Sequence, residues 1–190
     1  AQFINSLGFS SVTVLDPHSY VSEALIDNIR VQNPKYYINY AIEMINATNP
    51  VSPENRLMAF YPDEGAMKRY SGLLDMPYAF GIKQRDWATG QIQGLDVSGM
   101  TDIIYDSNVL IIDDICSRGG TFYHSAKKLK ELGAKNIYLY VSHCENTILQ
   151  GDLLTSGLIE RVFTTDSIFT KTHEKIEVMN YDAYKSYAVN

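Results

Sequence analysis

Short apolar runs and amphipathic stretches alternate along the chain. The apolar runs predict strands at residues 11–15, 56–61, 78–83, 109–112, 136–142, 161–164 and 175–178, with a short edge strand at 91–97. The amphipathic stretches predict helices at 1–7, 20–27, 35–47, 66–69, 121–132 and 149–154. Strands that alternate with helices form βαβ units with right-handed crossovers. The pattern therefore predicts one α/β domain over residues 1–190, with a doubly wound, mostly parallel sheet.

The run at residues 109–112 leads directly into a pair of carboxylates, Asp113 and Asp114. An unbroken apolar strand is typical of a central parallel strand that is covered by helices on both faces. In open α/β sheets, ligands bind at the carboxyl ends of such strands. We therefore expect Asp113 and Asp114 to lie in a binding site.

A loop that contains two glycines follows the carboxylates. Gly119 and Gly120 allow the backbone to approach an anion closely, and Thr121 begins a helix whose first N–H groups have no intrahelical partner. These features favour a phosphate, whereas the carboxylates favour hydroxyl groups, so together they favour a sugar phosphate such as ribose 5-phosphate. The alternative is a strand end with solvated aspartates and an ordinary turn.

Three other predicted strands also end in candidate functional side chains. His18 follows the first strand. Residues 63–65 precede a helix start, where backbone N–H groups can form an anion nest and a carboxylate can face a metal. Lys83 and Arg85 place two cations on one side of a strand. Each has a structural alternative: a hydrogen-bonding histidine, a capped helix start and solvated edge charges. The topology can bring all three to the edge that carries Asp113.

Composition and charge narrow the choice of partners. The chain has 190 residues, 45% of them hydrophobic and 20% charged, which suffices for one well-packed domain. A net charge of −6 without a basic run argues against nucleic acid and anionic membrane, and no apolar stretch approaches the roughly 20 residues of a membrane span. Cys116 and Cys144 form no Cys-x-x-Cys pair, which indicates a cytoplasmic protein without a zinc site.

The segment at residues 109–121 resembles the phosphoribosyl-pyrophosphate (PRPP) motif, which type I phosphoribosyltransferases share with the ribose-phosphate pyrophosphokinases, also called PRPP synthetases. Other segments resemble synthetase motifs alone: residues 16–19 the Asp-Leu-His motif, 61–69 the pyrophosphate loop, 83–85 the start of the flexible catalytic loop, and 142–143 the Thr-His pair. The resemblance therefore favours the synthetases. It implies a fold like that of the type I phosphoribosyltransferases.

The resemblance also implies a reaction, the transfer of the diphosphoryl group of ATP to the 1-hydroxyl of ribose 5-phosphate, giving PRPP and AMP. By the same resemblance, Asp113 and Asp114 hold the ribose hydroxyls, and His18 and Asp63 hold Mg²⁺. The other implied residues are Ser117, Arg118, Gly119, Gly120 and Thr121 for the 5-phosphate, Asp63, Glu64, Gly65 and Ala66 for the diphosphate, and Lys83, Arg85 and His18 for catalysis.

The chain departs from the synthetase pattern in several places. Pro17 replaces the usual Leu, Ala66 replaces the second Gly of the pyrophosphate loop, and Arg118 stands where Thr is usual. The N-terminal half of the family, which supplies much of the adenine site, has no counterpart in this sequence, so we expect the isolated chain to have little or no activity. The resemblance also implies a homo-oligomer. The alternatives are a PRPP-dependent phosphoribosyltransferase and a non-catalytic subunit associated with PRPP synthetase.

Overall fold

A computed structural model describes residues 1–50, 52, 55–85 and 92–181, without the side chains of 83–85, 92 and 93. The helices are α1 (Gln2–Ser6), α2 (Tyr20–Leu25), α3 (Lys35–Thr48), α4 (Glu64–Tyr70) and α5 (Gly120–Glu131). The strands are β1 (Val12–Leu15), β2 (Ile29–Gln32), β3 (Leu57–Tyr61), β4 (Tyr78–Arg85), β5 (Ile92–Gly99), β6 (Asn108–Cys116), β7 (Asn136–Cys144), β8 (Arg161–Thr165) and β9 (Ile176–Met179). None of the helices in these residues is long and apolar enough to cross a membrane.

The main sheet of the described residues has seven strands in the order β5-β4-β3-β6-β7-β8-β9. All neighbouring pairs are parallel except β4 and β5, which form an antiparallel edge. The strand order reverses between β3 and β6, because β4 lies beyond β3 on one side and β7 lies beyond β6 on the other. Ligands bind at such switch points in open α/β sheets. The predicted α/β class with a mostly parallel sheet is confirmed, as is the edge strand.

The sheet is covered by helices on both faces. In β6, Val109 and Ile111 pack in one apolar core with α5, whereas Leu110 and Ile112 pack in a second core with α3 and α4. All four side chains are fully buried. Successive side chains of a strand point to opposite faces, so this single strand contributes to both cores. The predicted burial of the run on both faces is confirmed.

The two strands nearest the N-terminus lie outside the main sheet. β1 and β2 form a separate parallel pair. The sequence predicted β1 but missed β2, although Ile29 and Val31 alternate with polar residues as in a strand. The carboxyl end of β1 still reaches the main sheet, because His143 Nε2 lies 3.0 Å from the carbonyl oxygen of Leu15. The turn that follows β1 is thereby held beside the ends of the main strands.

The helix predicted at residues 149–154 was wrong. The helix α2 is also shorter than predicted, because it ends at Leu25, two residues before the predicted end. In place of the helix predicted at 149–154, a short 3₁₀ helix lies at Asn146–Gln150. This 3₁₀ helix is followed by Gly151, which adopts an extended conformation. There the backbone lies so close to the loop that contains Arg118 that a Cβ atom would be 1.9 Å from the Arg118 carbonyl oxygen. Of the polar loop predicted at 84–90, residues 86–90 lie outside the described residues.

The two cysteines are neighbours in the sheet. Cys116 and Cys144 are partners in the parallel register of β6 and β7, and both are buried free thiols. The hydrogen bond with Cys144 and burial raise the pKa of the Cys116 thiol. A neutral buried thiol packs as a small apolar side chain, so the pair fills the core at the end of the central strand.

Candidate functional site

A cavity of about 890 Å³ opens at the switch point between β3 and β6. The turn after β1, the loop after β3 and the end of β6 with its following loop all contribute to it. Its lining residues are His18, Ser19, Tyr20, Val21, Asp63, Gly65, Ala66, Lys68, Arg69, Asp113, Asp114, Ile115, Ser117, Arg118, Gly119, Gly120, Thr121 and Phe122. The structure thus brings together His18, the segment that resembles the PRPP motif and most of the predicted diphosphate segment.

Arg69 joins the two carboxylates at the end of β6. Its Nη2 atom lies 3.2 Å from Asp113 Oδ1, and its Nη1 atom lies 2.9 Å from Asp114 Oδ2. The side chains of Arg69 and Asp113 are 16% exposed, and that of Asp114 is 3% exposed. The two contacts of Arg69 hold both carboxylates in fixed orientations. Loss of Arg69 or of its acidic partners would leave a poorly solvated charge without compensation. The sequence pattern does not single out Arg69, although this residue ends the segment that resembles the pyrophosphate loop.

His18 also contacts Asp114, one of the two carboxylates that Arg69 binds. Its Nδ1 atom lies 2.6 Å from Asp114 Oδ2, and its backbone carbonyl accepts a hydrogen bond of 3.3 Å from Arg69 Nη1. The His18 side chain is otherwise 80% exposed. Because Nδ1 is engaged with Asp114, Nε2 is the ring nitrogen that can contact a ligand.

The two neighbouring carboxylates titrate differently. Burial and the charge of Asp114 raise the pKa of Asp113 above its ordinary value of 3.8. Burial also opposes ionisation of Asp114, but the hydrogen bond from Arg69 and the charge of that guanidinium outweigh it and lower the pKa of Asp114. Two carboxylates that share one guanidinium do not ionise equally readily. Burial thus disfavours ionisation of Asp113, whereas the guanidinium favours the ionised form of Asp114.

The loop of residues 117–121 leaves the N-terminus of α5 open. Gly119 is the N-cap residue, has a φ of 82°, and provides no side-chain cap. The positive φ favours glycine at this position, and a Cβ atom there would press against Leu153 Cδ2 at 3.0 Å. The first turn of α5 contains no acidic residue. Its unpaired N–H groups therefore suit a phosphate, as predicted for this loop.

The segment that follows β7 makes hydrogen bonds with this loop. Ser117 Oγ donates a hydrogen bond of 2.7 Å to Glu145 Oε2, and Arg118 Nη2 donates one of 3.4 Å to the carbonyl oxygen of Gln150. The N–H of Glu145 also donates to the carbonyl of Cys116 at 2.8 Å. Arg118 lines the cavity while making its contact with Gln150. No role was predicted for Glu145, because nothing in the sequence around it indicates a contact with Ser117.

The predicted diphosphate segment at residues 63–66 forms a capped helix start. Asp63 is the N-cap residue of α4, and its Oδ1 atom accepts a hydrogen bond of 3.1 Å from the N–H of Ala66. Glu64 does not line the cavity; its Oε2 atom pairs with Lys68 Nζ at 3.3 Å on the exposed surface. An anion that uses the Ala66 N–H must therefore displace the Asp63 carboxylate from it.

Lys83 and Arg85 lie in β4, where they pair with Leu95 and Ile92 of β5. Phe80 pairs with Tyr61, the last residue of β3, so β4 continues past the carboxyl end of its neighbour. Both residues therefore lie beyond the sheet edge at which the cavity opens. Their side chains lie outside the described part of the chain, and their catalytic role stays a prediction.

The predicted metal ligands, His18 and Asp63, both line the cavity. Among the described residues, no group of three or more His, Cys, Asp and Glu side chains is arranged to hold a metal ion. Mg²⁺ commonly takes only one or two protein carboxylates and completes its shell with substrate phosphates and water. The oxygen donors of Asp63 fit such an ion, and the two named ligands stay a prediction.

A buried hydrogen-bond cluster ties the turn after β1 to the main sheet. Asp16, which is 6% exposed and has a φ of 40°, accepts hydrogen bonds from Tyr70 Oη at 2.9 Å and from Ser142 Oγ. Ser142 Oγ also lies 3.1 Å from Tyr140 Oη. Burial raises the pKa of Asp16, and the bonds from Ser142 and Tyr70 partly offset this. The cluster thereby holds the turn that carries His18 against the cavity.

The fold is shared with a known class of proteins. The solved structure of phosphoribosylpyrophosphate synthetase from Mycobacterium smegmatis superimposes with a TM-score of 0.76 at 18% identity, covering 99% of this chain and 60% of that chain. The chain therefore shares with that synthetase an α/β fold with a mostly parallel central sheet. No family model matches the sequence.

The sequence relatives are more specific. The ribose-phosphate pyrophosphokinase of Sulfolobus acidocaldarius is 30% identical over 172 residues, which cover 87% of this chain and 55% of the relative. That of Vibrio cholerae is 27% identical over 175 residues, covering 88% and 52%. Over most of its length, then, this chain is a homologue of the ribose-phosphate pyrophosphokinases, and the predicted resemblance is confirmed. The chain spans about half the length of these curated relatives.

Proposed function

We propose that this chain carries the ribose-phosphate and diphosphate sites of a ribose-phosphate pyrophosphokinase. That enzyme transfers the diphosphoryl group of ATP to the 1-hydroxyl of ribose 5-phosphate and releases PRPP and AMP. The supporting observation is that Asp113 and Asp114 share one cavity with the uncapped N-terminus of α5. Carboxylates accept hydrogen bonds from sugar hydroxyls, and helix N–H groups donate to phosphate oxygens. Ribose 5-phosphate therefore fits with its hydroxyls at Asp113 and Asp114 and its phosphate at residues 117–121.

Arg69 prepares the carboxylates for this task. Because its guanidinium contacts Asp113 and Asp114, their oxygen atoms are oriented before a sugar binds. Each carboxylate oxygen can accept further hydrogen bonds from hydroxyl groups. An acceptor that is already ordered costs less entropy when the substrate binds, so the sugar is positioned efficiently for attack.

Phosphoryl transfer depends chiefly on positioning and charge neutralisation. Lys83 and Arg85, beyond the end of β3, are the cations that would face the charge of the transferred diphosphoryl group. Residues 63–66 at the start of α4 would hold the diphosphate, after Asp63 releases the Ala66 N–H. Asp63 and His18 would hold Mg²⁺, which supplies positive charge to the phosphate oxygens when bound.

The proposal extends to the organisation of the protein. Residues 1–190 form a single phosphoribosyltransferase-like domain of a cytoplasmic homo-oligomer that uses ATP and ribose 5-phosphate. The adenine contacts come from the part of the relatives' length that this chain does not cover, since it spans 55% of one relative and 52% of another. Binding energy from such a remote group supports the reaction at the transferred phosphate, so without it turnover falls.

The direct test is calorimetric titration of the chain with ribose 5-phosphate. The double variant Asp113→Asn/Asp114→Asn should bind about 2–4 kcal/mol more weakly, because it loses two charged acceptors for hydroxyl groups. The double variant Asp102→Asn/Asp152→Asn removes the same charge from exposed positions and should bind as the parent does. Unchanged affinity in the first variant would remove these residues from the sugar site.

Catalysis is tested by AMP release from ATP and ribose 5-phosphate. The chain alone should release AMP very slowly, with each 1.4 kcal/mol of lost adenine binding costing about tenfold in rate. The same assay should be run on the chain joined to any preceding region that its reading frame encodes. Rapid turnover by the chain alone would show that its own residues form the adenine site.

A further inference from the structure

Glu145 places a carboxylate against the loop to which the proposed function assigns the 5-phosphate. Ser117 Oγ donates a hydrogen bond of 2.7 Å to Glu145 Oε2, and Thr147 Oγ1 donates one of 2.9 Å to the same oxygen. The bond from Ser117, and then the bond from Thr147, lower the pKa of Glu145. The carboxylate is therefore ionised at neutral pH, next to the proposed position of a dianion.

The backbone keeps Glu145 at this place. Its N–H donates to the carbonyl oxygen of Cys116, the residue directly before Ser117. Three residues further on, the side chain of Ile148 is fully buried in the core. At Gly151 the backbone is so close to Arg118 that a Cβ atom would lie 1.9 Å from its carbonyl oxygen. The hydrogen bond of Glu145 and the burial of Ile148 therefore hold the segment against the loop.

The Ser117 hydroxyl cannot serve Glu145 and a phosphate together. A hydroxyl group has one proton and donates one hydrogen bond at a time. A phosphate dianion only accepts hydrogen bonds, so it gains nothing from Ser117 while that proton points to Glu145. A phosphate in the loop must either replace Glu145 as the acceptor of the Ser117 hydrogen bond or bind without that bond. In both cases the phosphate lies near the negative charge of Glu145.

From this geometry we propose that Glu145 competes with the phosphate for Ser117 and limits the affinity of the loop for phosphate esters. The inference rests on the proposed function, which assigns residues 117–121 to the 5-phosphate. It makes Glu145 a residue that determines specificity through charge. Its effect grows with the negative charge of the bound phosphate and weakens as salt screens that charge.

The test compares the full chain with Glu145→Gln by calorimetric titration with ribose 5-phosphate and, separately, with inorganic phosphate. Glutamine keeps the size of the side chain and an acceptor for Ser117, but it removes the charge. We expect both ligands to bind about three- to tenfold more tightly at low salt, and the gain to shrink toward 1 M salt, where the Debye length is only about 3 Å. A merely structural role for Glu145 would give no such salt dependence.

Two variants serve as matched controls. Glu131→Gln removes one exposed negative charge at the far end of α5, so it reports the effect of net charge alone and should bind as the parent does. Glu145→Asp keeps the negative charge near the loop but has one methylene fewer, so it should gain less affinity than Glu145→Gln; an equal gain would contradict an effect of charge. Thermal unfolding of each variant confirms that the chains being compared are folded.

The outcomes separate this inference from the proposed function. If the parent binds both ligands and Glu145→Gln binds them equally well, there is no competition. If Glu145→Gln binds them more weakly, Glu145 supports the loop, and the inference is wrong. If neither chain binds ribose 5-phosphate or inorganic phosphate, the phosphate site itself fails, and the competition fails with it.

Discussion

Ser142 donates a hydrogen bond to the buried carboxylate of Asp16, a residue 126 positions earlier in the chain. The bond joins the turn after β1 to the end of β7, two elements that belong to different sheets. His18 follows two residues after Asp16, and its contact with Asp114 depends on where that turn lies. The position of a candidate catalytic residue is thus set by a buried polar contact between distant segments.

Removal of this contact should reduce stability. In Ser142→Ala the buried Asp16 carboxylate keeps the donor Tyr70 but loses Ser142, and the buried Tyr140 hydroxyl loses its contact with Ser142, which together cost about 1–3 kcal/mol. Urea unfolding followed by circular dichroism measures the change. Ser10→Ala, at an exposed position, should alter the free energy of unfolding by less than about 0.5 kcal/mol. Equal effects of the two substitutions would contradict a structural role for the contact.

Arg69→Met should be strongly destabilising. It leaves Asp113 and Asp114 poorly solvated and without their shared cation, a change that typically costs about 3–5 kcal/mol. Lys68→Met is the matched control, because the neighbouring Lys68 pairs with Glu64 on the exposed surface and such pairs contribute at most about 1 kcal/mol. Addition of Asp113→Asn to Arg69→Met should recover part of the loss. Without that recovery, the charge of the pair would not explain the destabilisation.

Stability should depend on pH through Asp113. Folding raises the pKa of this residue above 3.8, so the folded chain holds its proton more tightly than the unfolded chain does. The resulting stabilisation is complete below pH 3.8, the ordinary pKa of the unfolded chain. It is lost as the pH rises through the raised pKa of Asp113 in the folded chain. Unfolding measured over this range should therefore show the parent losing stability relative to Asp113→Asn. A constant difference between the two chains would mean that Asp113 has an ordinary pKa.

Most of the main sheet could be predicted because its signals are local. The run at 109–112 is apolar enough to indicate a strand buried on both faces, and Gly119 adopts the positive φ that only a glycine readily allows. The prediction of a helix at 149–154 was wrong: the chain there forms a 3₁₀ helix that ends at Gln150, where Gly151 comes into close contact with the loop of Arg118. No local pattern contains that contact.

In the candidate site, too, residues with local sequence signals were predicted, and a residue that depends on distant contacts was missed. Asp113, Asp114 and the loop after them form one continuous segment, so a single motif predicted them together. Arg69 was missed because its role depends on α4 lying beside the end of β6, with 44 residues separating it from Asp113. Polar contacts between distant segments are selected by the completed fold, and the period of the hydrophobic pattern carries no information about them.

Gly151→Ala should disturb the loop of residues 117–121. The new Cβ atom would lie 1.9 Å from the Arg118 carbonyl oxygen, so the backbone must shift, at a cost of about 1–3 kcal/mol in stability. Calorimetry should also show weaker binding of ribose 5-phosphate, because the loop that is assigned to its phosphate has moved. Gly72→Ala, which meets no atom within 4 Å, should leave both quantities unchanged. Parent-like behaviour of Gly151→Ala would show that the loop tolerates displacement.

The adjacent cysteines of β6 and β7 have a practical consequence for experiments in solution. Both thiols are buried, and the raised pKa of Cys116 keeps it in the unreactive neutral form, so alkylating reagents should modify the native chain slowly. A cysteine introduced at an exposed position such as Ser10 can then be labelled selectively with a fluorophore. The natural sequence therefore serves directly as the background for fluorescence measurements of ligand binding, without prior removal of its own thiols.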